Sequence, residues 1–222
     1  MNINDEVKAE FYDQRAKLYS DSDSERIRKR RSLILIKEAK KYLPNNILEL
    51  GVGTGRYLKI FDDLSLKTYG LDLSSKLIDE AKLSCPNSEL TVGSIHNMPY
   101  DKNQFSMINV LYVTEHVLFN DSLLQKISLV LKKGGKLNIT FYKYKMNLKS
   151  IKGFTNKLRS YISVYLEDLG FPSSLNQKII PTGHLQYSLD MMLKLFERNG
   201  FTHNCTYHFN SGLTYLFCFK KK

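Results

Sequence analysis

Residues 47–57, ILELGVGTGRY, restrict the fold of this chain more than any other segment. A short apolar run leads into glycines at the alternate positions 51, 53 and 55. Glycine tolerates positive φ and lets the backbone come close to a ligand. Free N–H groups at the start of the following helix attract electron-rich ligand groups. The segment therefore predicts a buried parallel strand, a tight turn and a helix, with a ligand-binding edge at the turn.

Two common phosphate-binding turns do not fit this segment. A dinucleotide turn, G-x-G-x-x-G, would place its third glycine at position 56, where the chain has Arg56. A nucleoside triphosphate loop requires Gly-Lys-Ser/Thr, which the segment lacks. The remaining pattern, E-x-G-x-G-x-G, resembles the first motif of the class I S-adenosylmethionine (SAM)-dependent methyltransferases; an ordinary strand-to-helix turn is the alternative. The resemblance implies that the residues contacting SAM include Glu49, Gly51, Val52, Gly53 and Gly55.

A second strand is predicted over residues 67–73, and it ends close to an acid, Asp72. Ser74 is typical of a helix N-cap before the periodic apolar residues Leu77, Ile78 and Ala81. A carboxylate at the carboxyl end of a strand faces the crevice of an open α/β sheet and can accept both hydroxyls of a ribose. A surface acid is the simpler alternative. By resemblance, Leu73 also contacts the cofactor.

The next two strands carry departures from the family pattern. Residues 93–100, GSIHNMPY, resemble the family's G-D-A-x-x-L-P-F, in which the acid accepts a hydrogen bond from the adenine amino group. Here Ser94 stands in that position and is a weaker acceptor, while the Ile95 N–H can still meet the purine. Ser106 replaces the acid of F-D-x-V, and Leu111 ends the strand. The resemblance adds Leu111 to the cofactor site; drift and a distinct subfamily both explain the two serines.

The carboxyl-terminal part predicts the remainder of an α/β sheet. A helix is predicted from Asn120, ended by residues 132–135, and a fifth strand follows at 136–141. A further helix, capped by Ser188 and stopped by Gly200, precedes strands at 202–209 and 214–219. Their short connection is typical of a hairpin, so the last strand should be antiparallel.

These patterns predict one α/β domain over residues 1–222: a doubly wound, mostly parallel, seven-stranded sheet of the Rossmann-like methyltransferase type. Its parts are an N-terminal helical lead-in, a cofactor-binding half, a helical cap and a closing helix with hairpin, at residues 1–45, 46–142, 143–183 and 184–222. Such a length and 42% hydrophobic content suffice for one sizeable core.

Composition limits the partners. No apolar run is long enough to span a bilayer, and the polar first residues do not resemble a signal peptide. Three cysteines without a C-x-x-C pair indicate neither a disulfide framework nor a metal site, so a reducing cytoplasm is expected. The net charge of +11 is attributed mainly to solvated helix faces, including residues 26–31, with nucleic acid as the alternative partner.

Two segments are expected to meet the substrate. Residues 11–19, FYDQRAKLY, resemble the lead-in that folds over the cofactor in small-molecule methyltransferases, which makes Tyr12 and Tyr19 candidate contacts. Simple helix packing explains these rings equally well. The excursion at 143–183 is long for an α/β connection and mixes aromatic with basic residues, which favours a cap over an apolar or aromatic acceptor.

The expected chemistry is methyl transfer from SAM to an oxygen or nitrogen of a small metabolite. A hydroxyl acceptor requires a base, and His116 and His184 are the candidates, although a structural role explains each of them too. One alternative is an RNA-modifying methyltransferase, whose RNA affinity would fall steeply with salt. The other is a non-catalytic SAM-binding partner subunit. The sequence leaves the oligomeric state open.

Overall fold

The computed structural model describes residues 3–14, 16, 25–114, 116–117, 119–142, 189–209 and 214–222. The predicted cap at 143–183 therefore lies outside the described residues, as do Tyr19 and His184. The helices are α1 (Ile3–Asp13), α2 (Glu25–Tyr42), α3 (Leu58–Asp62), α4 (Ser75–Ser84), α5 (Asp121–Val130) and α6 (Leu189–Arg198). The strands are β1 (Asn46–Leu50), β2 (Lys67–Asp72), β3 (Glu89–Val92), β4 (Phe105–Val110), β5 (Leu131–Tyr142), β6 (Phe201–Phe209) and β7 (Thr214–Lys221).

The strands form one seven-stranded sheet in the order β3-β2-β1-β4-β5-β7-β6. The first five strands of that order pair in parallel, and β7 runs antiparallel to both of its neighbours, β5 and β6. This confirms the predicted mixed sheet with an antiparallel last strand. Chain order reverses between β1 and β4, so the crevice at their carboxyl ends is where ligands bind in open α/β sheets.

Local sequence signals account for the helix starts. The Ser74 hydroxyl accepts a hydrogen bond from the Leu77 N–H at 3.1 Å, and the Asn120 side-chain oxygen accepts one from the Leu123 N–H at 3.0 Å. Both are the predicted N-caps. The end of α5 differs from expectation, because the helix ends at Val130 and not in the Lys-Gly segment 132–135. Buried Leu131 already has extended backbone and pairs with Phe105, so the chain enters the sheet before it reaches the glycines.

Buried side chains cover both faces of the sheet. One face packs mainly against α5 and α6, around residues such as Leu124, Phe196 and Phe219. The other packs against α2 and α3, around Leu35 and Phe61. At about 25 cal/mol per Å² of apolar surface, this two-sided burial is the main stabilising term of the fold. It leaves the carboxyl edge of the parallel strands as the place for polar chemistry.

Two polar residues do not lie where the sequence suggested. The Ser106 hydroxyl bonds the backbone N–H and carbonyl of Asn46, at 3.2 and 3.1 Å, at the start of β1 and β4. It therefore ties strand starts together at the edge opposite the crevice, and its replacement of an acid does not bear on cofactor binding. The sequence assigned Arg31 to a solvated helix face, but its side chain is 3% exposed and lies on the face of α2 that packs against the sheet. That assignment was wrong for Arg31.

Candidate functional site

The glycine turn after β1 is shaped by positive φ and by close packing. Gly51, Gly53 and Gly55 have φ of 71°, 54° and 79°, values that side chains disfavour. A Cβ on Gly51 would lie 2.3 Å from Val113 Cγ2, and one on Gly55 would lie 2.7 Å from Cys85 Sγ. A Cβ on Gly53 would meet no other described atom within 4 Å. Gly51 and Gly55 are thus packed against the protein, while Gly53 presents bare backbone to open space.

Asp72 joins this turn to the end of β2. One carboxylate oxygen accepts a hydrogen bond from the Gly53 N–H at 2.8 Å, and the other accepts one from the Ser74 N–H at 3.0 Å. Burial raises the pKa of Asp72, and these backbone hydrogen bonds oppose the rise. Each oxygen retains a second lone pair, so the carboxylate can still accept hydrogen bonds from a ligand.

Glu49 is a second buried carboxyl group at this edge. It is 2% exposed, and its Oε2 has no hydrogen-bond partner among the described residues. Burial, and then the neighbouring Asp72, raise the pKa of Glu49 well above its ordinary value of 4.5. Within the described chain no basic side chain forms an ion pair with either acid. Two buried acids without a cation favour a ligand that itself carries positive charge.

We expect Glu49→Gln to stabilise the ligand-free protein at neutral pH. Since the folded pKa is raised, the stability linked to Glu49 is present at acidic pH and lost as pH rises from about 4.5 through the folded pKa. Thermal unfolding at pH 5 and pH 8 measures this, with Glu197→Gln on the exposed face of α6 as the control. A variant that is less stable than wild type at pH 8 would contradict the buried, unpaired charge.

Helix α1 lies across the same edge. Asp13 bonds the Ser74 hydroxyl and accepts a hydrogen bond from the Lys76 N–H at 3.2 Å, so it adds a cap to α4. The Tyr12 ring meets the His116 ring edge-on with centroids 5.7 Å apart, and Lys8 reaches the His116 carbonyl at 3.5 Å. Tyr12 and His116 are therefore brought together beside the crevice. Sequence reasoning missed Asp13, because nothing local links an acid in α1 to a helix start in α4.

The loop after β3 completes the side of the crevice next to β2. The Ser94 hydroxyl accepts a hydrogen bond from the His96 N–H at 3.2 Å, and both Ser94 and Ile95 are buried. Burial lowers the pKa of His96, so its imidazole is neutral at neutral pH. Leu73 is half-buried at the end of β2. The loop can form one wall of an adenosine site, and its role in binding stays a prediction.

On the other side of the crevice, a cavity of about 10 Å³, room for about one water, lies between α2 and the residues that follow β4. The Arg31 guanidinium donates to the Tyr57 hydroxyl at 3.1 Å and lies 4.4 Å from the centroid of the Tyr112 ring. Tyr112 has φ of 61° and its N–H donates to the Thr140 hydroxyl at 2.6 Å, which holds this strained backbone. The cavity is lined by Arg31, Leu35, Tyr57, Leu111, Tyr112, Thr140, Phe209 and Leu216.

Sequence reasoning placed Leu111 at this edge but missed the role of Arg31. The spacing of Arg31, Leu35 and Ala39 was the signal, since residues four apart share a helix face. Both apolar members of that series are buried, and so is the arginine. A basic residue in an apolar series is a candidate for a buried cation.

The residues present are compatible with SAM. Two buried acids suit its ammonium and sulfonium groups, the Asp72 carboxylate suits its ribose hydroxyls, and Gly53 leaves space for close approach. The contacts of the individual residues with SAM stay predictions. Glu49, Gly51, Val52, Gly53, Gly55, Asp72, Leu73, Ser94, Ile95 and Leu111 all lie at or beside the carboxyl edge of β1 to β4.

Comparisons with known proteins agree with this fit. Residues 48–139 match the model of a methyltransferase domain family. A demethylmenaquinone methyltransferase of Thermotoga maritima is 29% identical over 120 residues, which cover 53% of this chain and 51% of the relative. The ubiquinone/menaquinone biosynthesis C-methyltransferase UbiE of Campylobacter jejuni is 28% identical over 98 residues, 41% of this chain and 42% of its own. The chain thus spans about half the length of the curated relatives it matches.

The fold likeness extends over nearly the whole chain. A TehB-like SAM-dependent methyltransferase of Corynebacterium glutamicum superposes with a TM-score of 0.64 at 17% identity, covering 98% of this chain and 100% of the other. At that identity the likeness shows the fold alone, whereas the match over 48–139 includes the glycine turn, Asp72 and the loop after β3. Together, the family match over residues 48–139, the curated relatives and the fold support a class I SAM-dependent methyltransferase.

Proposed function

We propose that this protein transfers the methyl group of SAM to a small hydroxylated aromatic molecule bound against Tyr57 and Tyr112. The group of Arg31, Tyr57 and Tyr112 carries the proposal, because it is both aromatic and cationic and Tyr57 lies two residues after Gly55 of the glycine turn. The cavity that these residues line has a volume of about 10 Å³, room for about one water, so the acceptor ring binds at its rim. Aromatic walls suit a flat apolar ring, and the Arg31 guanidinium suits an oxygen that develops negative charge.

Bound SAM supplies an activated methyl group on a sulfonium with a neutral thioether leaving group. The work of the chain is then alignment and exclusion of water, which together are worth about 7–11 kcal/mol in well-oriented reactions. Tyr57 and Tyr112 stack on each other with ring centroids 5.9 Å apart, so the acceptor ring packs against this pair and not between the two rings, while Arg31 stabilises a phenolate-type oxygen. His116, beside Tyr12, is the candidate base for the hydroxyl proton.

The accepting atom is open to two chemistries. The sequence favoured oxygen or nitrogen, whereas the names of the curated relatives point to quinone-type substrates and, for the Campylobacter protein, to carbon. Deprotonation of a ring hydroxyl activates both its oxygen and the adjacent ring carbon. The same cavity and base therefore serve O- and C-methylation of a hydroxylated ring, and product analysis distinguishes them.

A turnover assay with purified protein tests the proposal. With SAM and a panel of phenols, short-chain quinols, aromatic amines and RNA, we expect methyl transfer to the hydroxylated aromatics. SAM binding without turnover on any acceptor would favour the non-catalytic partner subunit instead. RNA binding that weakens steeply with added salt, together with RNA methylation, would favour the nucleic-acid alternative.

In the described part of the chain, no helix combines the length and apolarity needed to cross a membrane.

Arg31→Lys is expected to lower kcat/KM for the acceptor by about tenfold, or about 1.4 kcal/mol, with SAM affinity unchanged. Lysine keeps the charge but loses the planar guanidinium that bonds Tyr57 and stacks on Tyr112. Steady-state kinetics and calorimetry measure the two quantities, and Arg30→Lys at the exposed neighbouring position is the matched control. Equal loss in both variants, or an unchanged kcat/KM, would contradict the placement of the acceptor.

A further inference from the structure

A second cluster of reactive side chains lies on the α2 face of the sheet. One oxygen of Glu38 and the sulfurs of Cys205 and Cys218 all lie within 4.8 Å of one another. Glu38 follows Arg31 by seven residues, or about 10 Å along a helix. Lys136, which is buried beside the cluster, precedes Thr140 by four residues in β5, or about 13 Å along a strand. The cluster is thus separate from the cavity beside the glycine turn.

A β-bulge creates the cysteine pair. His203 pairs with Phe219 and Cys205 with Cys218, so Asn204 is an extra residue in β6. Side chains alternate across a strand, and without the extra residue Cys205 would project from the opposite face, with His203. The bulge turns Cys205 onto the face of Cys218, where both meet Glu38 from α2. Bulges of this kind re-aim side chains and are features of a fold rather than defects.

Glu38 is prepared as an oxygen ligand. It is 1% exposed, and the Tyr207 hydroxyl donates to its Oε1 at 2.6 Å. Its Oε2 is buried without a hydrogen-bond partner among the described residues. A carboxylate that accepts a hydrogen bond through one oxygen keeps its other oxygen available to a metal. The hydrogen bond orients the group, as such bonds commonly do for metal ligands.

We propose that Glu38, Cys205 and Cys218 bind a divalent cation of the Zn²⁺ type. Zn²⁺ takes thiolate sulfur at about 2.3 Å and carboxylate oxygen at about 2.0–2.2 Å, which in a tetrahedron sets the ligands about 3.6–3.8 Å apart. Shifts of about 1 Å in the ligand atoms, through rotation of their side chains, bring the observed separations to these values. A water or an external group takes the fourth position, on the side of the half-exposed Cys205.

Lys136 is a buried neighbour of the cluster, and its amine lies 3.7 Å from the centroid of the Tyr42 ring. Zn²⁺ binds cysteine as thiolate, so binding of the ion releases the thiol protons to solvent. The three ligands come from α2, β6 and β7, which is why cysteine spacing in the sequence did not indicate the site.

Titration of the full chain with Co²⁺, under a reductant without thiols, tests the site. We expect one ion per chain, with thiolate-to-cobalt charge-transfer absorption in the near ultraviolet that Zn²⁺ abolishes. Cys205→Ser and Cys218→Ser should lose that band, and Glu38→Gln should weaken binding by at least about tenfold, or about 1.4 kcal/mol. Cys85→Ser, a buried cysteine on the other side of β1, is the matched control and should bind as wild type does.

Absence of the band in the fully reduced wild-type protein would overturn the proposal. Loss of the band in Cys85→Ser would also overturn it, because that cysteine lies outside the cluster. A disulfide between Cys205 and Cys218, identified by mass spectrometry in protein purified without reductant, together with no cobalt binding after reduction, would assign the pair to redox chemistry instead. Circular dichroism checks the fold of each variant, and if Cys218→Ser does not fold, the half-exposed Cys205→Ser decides the result.

Discussion

Gly51→Ala is expected to destabilise the protein by about 2–5 kcal/mol. A side chain at φ of 71° costs about 1–2 kcal/mol, and a methyl group 2.3 Å from Val113 Cγ2 adds an overpacking cost of about 1–3 kcal/mol. Urea unfolding in the absence of SAM measures the loss. Because Val113 follows β4, the clash would separate the two strands that flank the crevice.

Gly53→Ala is the matched control for that result. Its φ of 54° gives a similar strain of about 1–2 kcal/mol, but its Cβ meets no other described atom within 4 Å. We therefore expect a smaller loss of stability and a larger loss of SAM affinity, since the methyl group projects into the space assigned to the ligand. Equal destabilisation by the two substitutions would show that the turn is not packed as described. Unchanged SAM affinity in Gly53→Ala would place the cofactor elsewhere.

Asp72→Ala is expected to lower SAM affinity by about 10- to 100-fold. Removing the carboxylate leaves ribose hydroxyls without an acceptor, and an unmet polar group costs about 1–3 kcal/mol. Isothermal calorimetry measures the affinity, with Asp79→Ala on the exposed face of α4 as the control. An affinity equal to wild type would exclude the ribose assignment.

Asp72 also holds the Gly53 and Ser74 N–H groups, so part of that loss could be indirect. A thermodynamic cycle separates the two roles. It compares the affinities of S-adenosylhomocysteine and its 2′-deoxy analogue in wild type and in Asp72→Ala. If Asp72 accepts the hydroxyl directly, wild type discriminates between the two ligands and the variant does not. Discrimination that survives in Asp72→Ala would restrict Asp72 to shaping the turn.

The parts of this protein that sequence predicted well depend on neighbours in the chain. The N-caps Ser74 and Asn120, the glycine turn and the hairpin of β6 and β7 are each determined by a few consecutive residues. The seven-stranded, mostly parallel sheet followed from the resemblance to a family rather than from local pattern, and the structure supplied its strand order. The end of α5 was misplaced, because strand pairing of Leu131 outweighed the helix-stopping effect of the glycines.

Arg31 and Ser106 show where chain-local reasoning stops. A run of basic residues favours solvent when only composition is considered, yet burial of the Leu35 face of α2 takes Arg31 inside with it. Ser106 occupies a position that is acidic in the family, and only the sheet register shows that it meets Asn46 at the edge away from the crevice. Neither environment exists until distant segments pack.

From the sequence alone came the α/β sheet, the strand that ends in the glycine turn and the acid at position 72, because periodicity, glycine spacing and capping act over one or two turns of chain. The tertiary structure alone decided that the acids at 49 and 72 are neighbours, that α1 lies across the edge of the sheet, that Arg31, Tyr57 and Tyr112 come together, and that Glu38 meets two cysteines. Such groupings join residues far apart in sequence, and their pKa values and unmet hydrogen bonds arise only when packing removes water from them.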